Sequence, residues 1–248
     1  MRPKRIISTI EARMTSTRLP GKVLAPAVGK PMLQLLIERL QQCRTLDGVV
    51  VATTTNDSDD PIAELADRLG VGCFRGSEED VLDRVLNAAR SADADVIVEI
   101  TGDCPLIDPD AVDRLVDYYL AGGYDYVTNR GAADPYPDGL DAQVFPTEVL
   151  REVSGLTQDP ADREHVSLYI YSHPERYRCG SIGSGLSKDD QDLRLTLDTP
   201  QDLQLIRTIF EELYPANPRF RIADIVALLA RRPDLVALNR DVRAKPVR

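Results

Sequence analysis

Four runs rich in β-branched residues, "RIISTIEA" (5–12), "GVVVATTT" (48–55), "VGCFRG" (71–76) and "DVIVEIT" (95–101), are separated by segments whose apolar residues recur at helical spacing. Strands that alternate with helices do not pair as hairpins; each returns through a crossover, and the outcome is a parallel sheet covered by helices. Between them, "PMLQLLIERLQQC" repeats apolar residues at helical period, and Pro61 opens "PIAELADRLG", where Ile62, Leu65, Ala66 and Leu69 share one face before Gly70 stops it. Ser77 and Asp80 form a capping-box-like start to a third helix through Val81, Leu82, Val85 and Leu86. The pattern predicts an α/β chain on a mostly parallel central sheet with right-handed crossovers.

The rhythm breaks between residues 122 and 147, where "GGYDYVTNRGAADPYPDGLDAQVFP" is rich in Gly, Pro and Asp and reads as functional loops on the sheet. "ADREHVSLYIYSH" then reads as a helix, "RYRCGSIG" and "LRLTLD" as strands, and Thr199 with Pro200 as the cap of a long helix, "PQDLQLIRTIFEEL". No linker or repeat divides the chain. A single domain is expected over residues 1–238, and 248 residues with 43% hydrophobic side chains suffice for its core. Residues 239–248, "NRDVRAKPVR", are expected to form a mobile basic tail.

Charge is unevenly placed. Residues 1–30 carry seven Lys and Arg against one acid, Glu11, in a chain of net charge -10. An acidic chain lacks the broad basic face of a nucleic-acid binder but accommodates a local pocket for a small phosphate compound. The cysteines at 43, 73, 104 and 179 form no C-x-x-C pair and lie in or beside apolar runs, so buried free thiols in a reducing cytoplasm are expected. No apolar run reaches the roughly 18 residues of a membrane span, and "RIISTIEA" lacks the form of a signal peptide, so neither a membrane nor a targeting segment is expected.

In open parallel sheets ligands bind beyond the carboxyl ends of the strands, and "EARMTSTRLPGK" (11–22) follows the first strand there. Backbone N–H groups of a Ser/Thr/Gly loop wrap phosphate oxygens, while Arg13 offers a planar fork and Lys22 a compact charge. Pro20 and Gly21 set a turn that aims Lys22, which weighs against a merely solvated loop. Ser16 stands where a Walker A motif has its first glycine and Val23 follows Lys22, so the loop is of another kind.

Two aspartates end apolar strands: Asp103 in "TGDCPLIDPD" and Asp198 in "LRLTLDTPQDL". They read either as ligands sharing one Mg²⁺ or as local caps, Asp103 of a turn before Pro105 and Asp198 beside Thr199. Asp108 before Pro109 reads as a helix cap. Asp138 and Asp141 around Gly139, with Arg163, Glu164 and His165, offer groups for sugar hydroxyls or an anionic acceptor. The two histidines stand eight apart among scattered cysteines, and no zinc pattern is read.

"ARMTSTRLPGKVL", "GKPML", "FRGSEEDVLDR", "TGDCPLIDP" and "LTLDTPQDL" occur in the order found in cytidylyltransferases of the CMP-sugar synthetase group. Over roughly residues 5–215 the chain resembles that family, which includes the enzymes activating 3-deoxy-manno-octulosonate and N-acylneuraminate, and its branch named for spore coat polysaccharide biosynthesis. The resemblance implies a three-layer α/β/α Rossmann-like nucleotide-diphospho-sugar transferase fold and transfer of CMP from CTP to an acceptor with release of pyrophosphate. It assigns Arg13, Ser16, Arg18, Gly21 and Lys22 to the triphosphate, Ser77 and Arg84 to positions near the nucleotide, and Asp103 and Asp198 to Mg²⁺. Asp138, Asp141, Arg163, Glu164 and His165 fall where the acceptor lies, in an insertion at about 122–190, and a homodimer completes that pocket. The phosphate loop lacks the Lys-Asn ending of the N-acylneuraminate enzymes, and "TGDCP" and "REHVSLY" differ from the octulosonate forms, so the resemblance names no acceptor. Two other readings follow from such a sheet: a glycosyltransferase consuming a nucleotide-sugar through an Asp-x-Asp motif, for which only "DAD" (93–95) and "DPD" (108–110) are candidates, and a catalytically silent nucleotide-binding module.

Overall fold

The structure, a computed structural model, describes residues 3–131 and 133–243. Strands β1 (Ile6–Glu11), β2 (Pro26–Ala27), β3 (Lys30–Pro31), β4 (Gly48–Thr54), β5 (Gly72–Gly76), β6 (Val96–Thr101), β7 (Tyr126–Thr128), β8 (Gln143–Pro146) and β9 (Cys179–Ser181) are present. The helices are α1 (Met32–Leu40), α2 (Asp60–Arg68), α3 (Val81–Ser91), α4 (Pro109–Gly122), α5 (Thr147–Leu156), α6 (Pro160–Glu164), α7 (Leu168–Ser172), α8 (Lys188–Gln191), α9 (Pro200–Leu213), α10 (Ile222–Arg231) and α11 (Pro233–Ala237). The four β-branched runs are the parallel strands β1, β4, β5 and β6.

Seven strands form one sheet in the order β5-β4-β1-β6-β8-β7-β9, in which β8 runs against both its neighbours. Because side chains alternate across a strand, β1 sends Ile6 and Ile10 to one face and Ile7 to the other. The first face packs on α1, α2 and α4 through Leu36, Leu65 and Leu115, and the second on α3 and α5 through Leu82, Val85 and Leu150. A third apolar group joins α9, α10 and α11 to Met32 and Leu35 of α1. The expected three-layer α/β/α Rossmann-like architecture is present, with β1 and β6 side by side at the point where the strand order reverses. That reversal opens a crevice at the carboxyl ends of β1 and β6. Residues 122–190 contribute β7, β8 and β9 to the same sheet.

Several local expectations change. Asp80 is the N-cap of α3, accepting from the Asp83 N–H at 3.0 Å, while Ser77 Oγ accepts from the Asp80 N–H at 3.1 Å, so the two act in series and form no reciprocal box. "LRLTLD" is an extended segment with a single bridge, Asp138 to Arg194, because its neighbour is the glycine-bearing loop and no strand runs there to pair with it. "ADREHVSLYIYSH" breaks at His165 into α6 and α7. Thr199 caps α9 in a reciprocal box with Asp202. The segment expected as a tail is anchored at its start: Asn239 is buried and donates to the Arg194 carbonyl and to Asp202 at 3.0 and 2.8 Å. Residues 244–248 lie outside the described residues. Among the described residues no helix is long and apolar enough to cross a membrane. Of the free thiols, Cys43 and Cys104 are buried as expected, but Cys73 and Cys179 are exposed because β5 and β9 are the two edges of the sheet.

Gly139 is the position where the 130–142 loop lies against the 195–196 segment. Its φ is +95°, and an added Cβ would stand 2.2 Å from the Thr196 nitrogen, a backbone atom that cannot step aside. Gly155 in α5 has open space around it. Gly139→Ala is expected to lower the unfolding free energy by about 3 kcal/mol, while Gly155→Ala raises it by about 0.5–1 kcal/mol. Urea denaturation of the two variants beside the parent checks both signs.

Candidate functional site

The loop after β1 is shaped before any ligand chemistry is asked of it. The Met14 N–H donates to Asp59 at 2.7 Å, the Gly21 N–H donates back to the Met14 carbonyl at 2.9 Å, and Gly21 takes φ +72°. A left-handed residue is needed to reverse the chain into the short 3-10 turn Lys22–Leu24. Glu78 fastens the loop's outer side, accepting from Arg13 at 3.2 Å, from the Thr15 hydroxyl and from Asn56 at 2.6 Å.

Lys22 is thereby aimed across the crevice. Its ammonium donates to Asp103 at 3.1 Å and to Asp198 at 2.9 Å, so the two strand-end aspartates meet on one cation. Asp198 also pairs with Arg18 at 2.9 Å and with Arg194 at 3.0 Å. Arg194, missed from the sequence, continues to Asp138 at 2.8 Å and to the fully buried Asp202 at 3.1 Å. Its spacing four and eight residues before Asp198 and Asp202 was the available signal, but a segment read as a strand directs such residues to one side without showing that they pair.

The electrostatics follow from this geometry. Burial works against both charges, yet Asp103 and Asp198 hold the Lys22 ammonium above the ordinary lysine value, and Lys22, Arg18 and Arg194 hold the Asp198 carboxyl below the ordinary carboxylate value. Burial pushes Asp141 up to about 6 against the pull of Arg130, which bridges it to Asp138.

A cavity of about 340 Å³ lies over this crevice, lined by Arg13, Ser16, Arg18, Lys22, Asp103 and Asp198, and on its α3 side by Glu11, Val81 and Arg84. Glu164 and His165 also reach it. Asp138 and Arg194 line a neighbouring cavity of about 830 Å³. Arg163 is turned away from the first cavity: its guanidinium bonds Asp80 and the Ser154 carbonyl, tying α6 to the starts and ends of α3 and α5. Ser77 presents its carbonyl to Arg84 and its hydroxyl to the α3 cap. The Asp-x-Asp candidates fall elsewhere, Asp93–Asp95 at the opposite end of β6 and Asp108 as the cap of α4. Among the described residues no three His, Cys, Asp or Glu side chains gather as a metal site.

A glycine-turned cationic loop and paired carboxylates stand at the switch point of an α/β sheet, the place where such sheets bind their ligands. Residues 7–221 match the cytidylyltransferase family, and the chain belongs to it; it is a CTP-dependent nucleotidyltransferase. The spore coat polysaccharide biosynthesis protein SpsF of Bacillus subtilis is 33% identical over 92% of this chain and 95% of its own length. The 3-deoxy-manno-octulosonate cytidylyltransferase of Solibacter usitatus is 40% identical, over 84% of this chain and 96% of its own. The solved structure of a cytidylyltransferase from Leptospira borgpetersenii superposes with a TM-score of 0.88 at 30% identity, over 98% of this chain and 100% of that one.

The depressed Asp198 carboxyl stabilises the fold above its unfolded-state value, about pH 4, and that contribution is lost as pH falls through the folded value. Lys22→Met removes its main counter-charge. The variant is expected to be less stable than the parent at pH 7 and to approach it below about pH 4. Urea midpoints at the two pH values check this, and a gap independent of pH would show that Lys22 does not act through Asp198.

Proposed function

We propose that the chain transfers CMP from CTP to a sugar or sugar-acid acceptor with release of pyrophosphate, in an Mg²⁺-dependent reaction serving surface polysaccharide. The observation that carries this reading is the Lys22 ammonium within 3.1 Å of Asp103 and 2.9 Å of Asp198 beside the Arg13 to Lys22 loop.

The residues fit Mg²⁺. Two carboxylates already converge on one cation, and Mg²⁺ takes one or two carboxylates while drawing its other ligands from phosphates and water, so a third protein ligand is not required. Asp103 and Asp198 would hold it, and when bound it supplies Lewis-acid neutralisation of the phosphate charge. Backbone N–H groups around Ser16 wrap phosphate oxygens, Gly21 shapes the loop through its bond to the Met14 carbonyl, and Arg13, Arg18 and Lys22 stabilise the charge that grows on the departing pyrophosphate. Arg84 and Ser77 flank the nucleotide. Asp138, Asp141, Glu164 and His165 position the acceptor's oxygen for in-line attack on the α-phosphate, where holding the reactants in line lowers the barrier. Arg163, committed to Asp80, serves by fixing α6 beneath Glu164 and His165. The family resemblance further supports a cytoplasmic homodimer.

The test is pyrophosphate release from CTP with and without Mg²⁺ against a panel of acidic sugars and sugar phosphates. Metal-dependent release with one acceptor class is the expected result, and release with none across the panel would refute the transferase reading. Lys22→Ala and Asp103→Asn are each expected to lower turnover by about 10²–10³ in a folded protein. Turnover within about threefold of the parent would remove the assigned role.

A further inference from the structure

The phosphate-binding cations of the cavity have an acidic neighbour that a triphosphate would not tolerate. Glu11 ends β1, lines the cavity, and lies on the α3 face of the sheet, as does Glu99 two residues before the end of β6. The two carboxyl groups are hydrogen-bonded to each other. Oε1 of Glu11 and Oε2 of Glu99 are buried, and no other residue donates to either. Arg84, 2% exposed, lines the same wall; one terminal nitrogen is spent on the carbonyls of Ser77 and Glu78, while its Nε is buried with no acceptor. Val81 and Ala12 complete an apolar surface beside them. Buried polar atoms left without partners cost free energy, so this wall is organised for a ligand that brings one donor and one or more acceptors on an apolar, uncharged body.

A nucleobase meets that description and a phosphate does not. Building on the cytidylyltransferase reading above, we propose that Glu11, with Arg84 beside it, reads the Watson–Crick edge of the base and sets the preference for cytosine over uracil. The carboxylate accepts from the exocyclic amine, which cytosine alone of the two pyrimidines carries, and the guanidinium donates to the acceptors along the same edge. Uracil presents a carbonyl oxygen where cytosine has the amine, and two acceptors then face each other. Burial pushes Glu11 up to about 7 against the pull of its Glu99 hydrogen bond and of Arg84, and burial with the charge of Glu11 pushes Glu99 well above the ordinary range. The hydrogen bond between the two acids holds Glu11 in place beside Arg84.

Calorimetric titration at pH 8 with CTP, UTP and dCTP in Mg²⁺ tests the assignment without knowledge of the acceptor. The parent should bind CTP at least about tenfold more tightly than UTP. Glu11→Gln, whose amide turns either an acceptor or a donor to the base, should keep CTP binding within several-fold and bring UTP close to it. Glu11→Met should lose most of the CTP preference while melting near the parent's temperature. If folded Gln and Met variants keep the parent's CTP-to-UTP ratio, Glu11 does not read the base; if they lose only the ratio of CTP to dCTP, it reads the ribose, and the assignment is overturned. A parent that binds no nucleotide fails the cytidylyltransferase reading itself, whereas a parent that binds CTP and UTP equally fails only this inference.

Discussion

The Asp198 carboxylate is held by three cations from two distant parts of the chain, Arg18 and Lys22 from the loop after β1 and Arg194 from the segment before α9. Two of the three come from a loop whose course is set by Gly21, Asp59 and Glu78, and the third is itself pinned by Asp138 and Asp202. Side chains this sheltered do not keep several charges unless each has a partner, since unpaired burial costs several kcal/mol. The network is therefore mutually supporting: Arg18 and Lys22 help keep Asp198 charged, and Asp198 draws both cations of the loop to one point. Asp103 enters the same balance through Lys22.

Most of the sheet was legible because parallel strands buried on both faces must be continuous apolar runs, and "GVVVATTT" and "DVIVEIT" have no other reading. The order of the strands was not legible, and the cysteines show why: "VGCFRG" looks as apolar as its neighbours, but only the assembled order puts β5 and β9 at the edges and exposes Cys73 and Cys179. "LRLTLD" has strand composition, yet strand pairing needs a partner, and the partner here is a loop. Asn239 sits in a basic, polar stretch that reads as solvated, and nothing local tells that its amide satisfies Asp202 and the Arg194 carbonyl.

At the site, residues that act through backbone position were the readable ones. A strand end followed by hydroxyls, Pro20 and Gly21 marks a turned loop over the carboxyl ends of the strands, and Asp103 is marked by the strand before it. What escaped was pairing across the fold. Arg163 has the chemistry of an anion receptor, but Asp80, 83 residues earlier, takes it first. Arg194 has no motif of its own, and its importance comes entirely from the three aspartates around it. Glu11 looks like the polar end of a strand until Glu99, two strand residues before the end of β6, is seen on the same face.

The Lys22 bridge also has a temporal side. It joins residues 81 and 176 apart in sequence, and Asn239 closes over Arg194 and Asp202 from later still. Contacts of such separation form late, because loop-closure entropy must be met before they return any stabilisation. While the chain is being made, the β1 loop emerges well before Asp103 and much further ahead of Arg194 and Asp198. Until Asp198 is made, Arg18 lacks the carboxylate it pairs with. The charge balance of the crevice is thus completed only once the segment carrying Asp198 and Asn239 has been made.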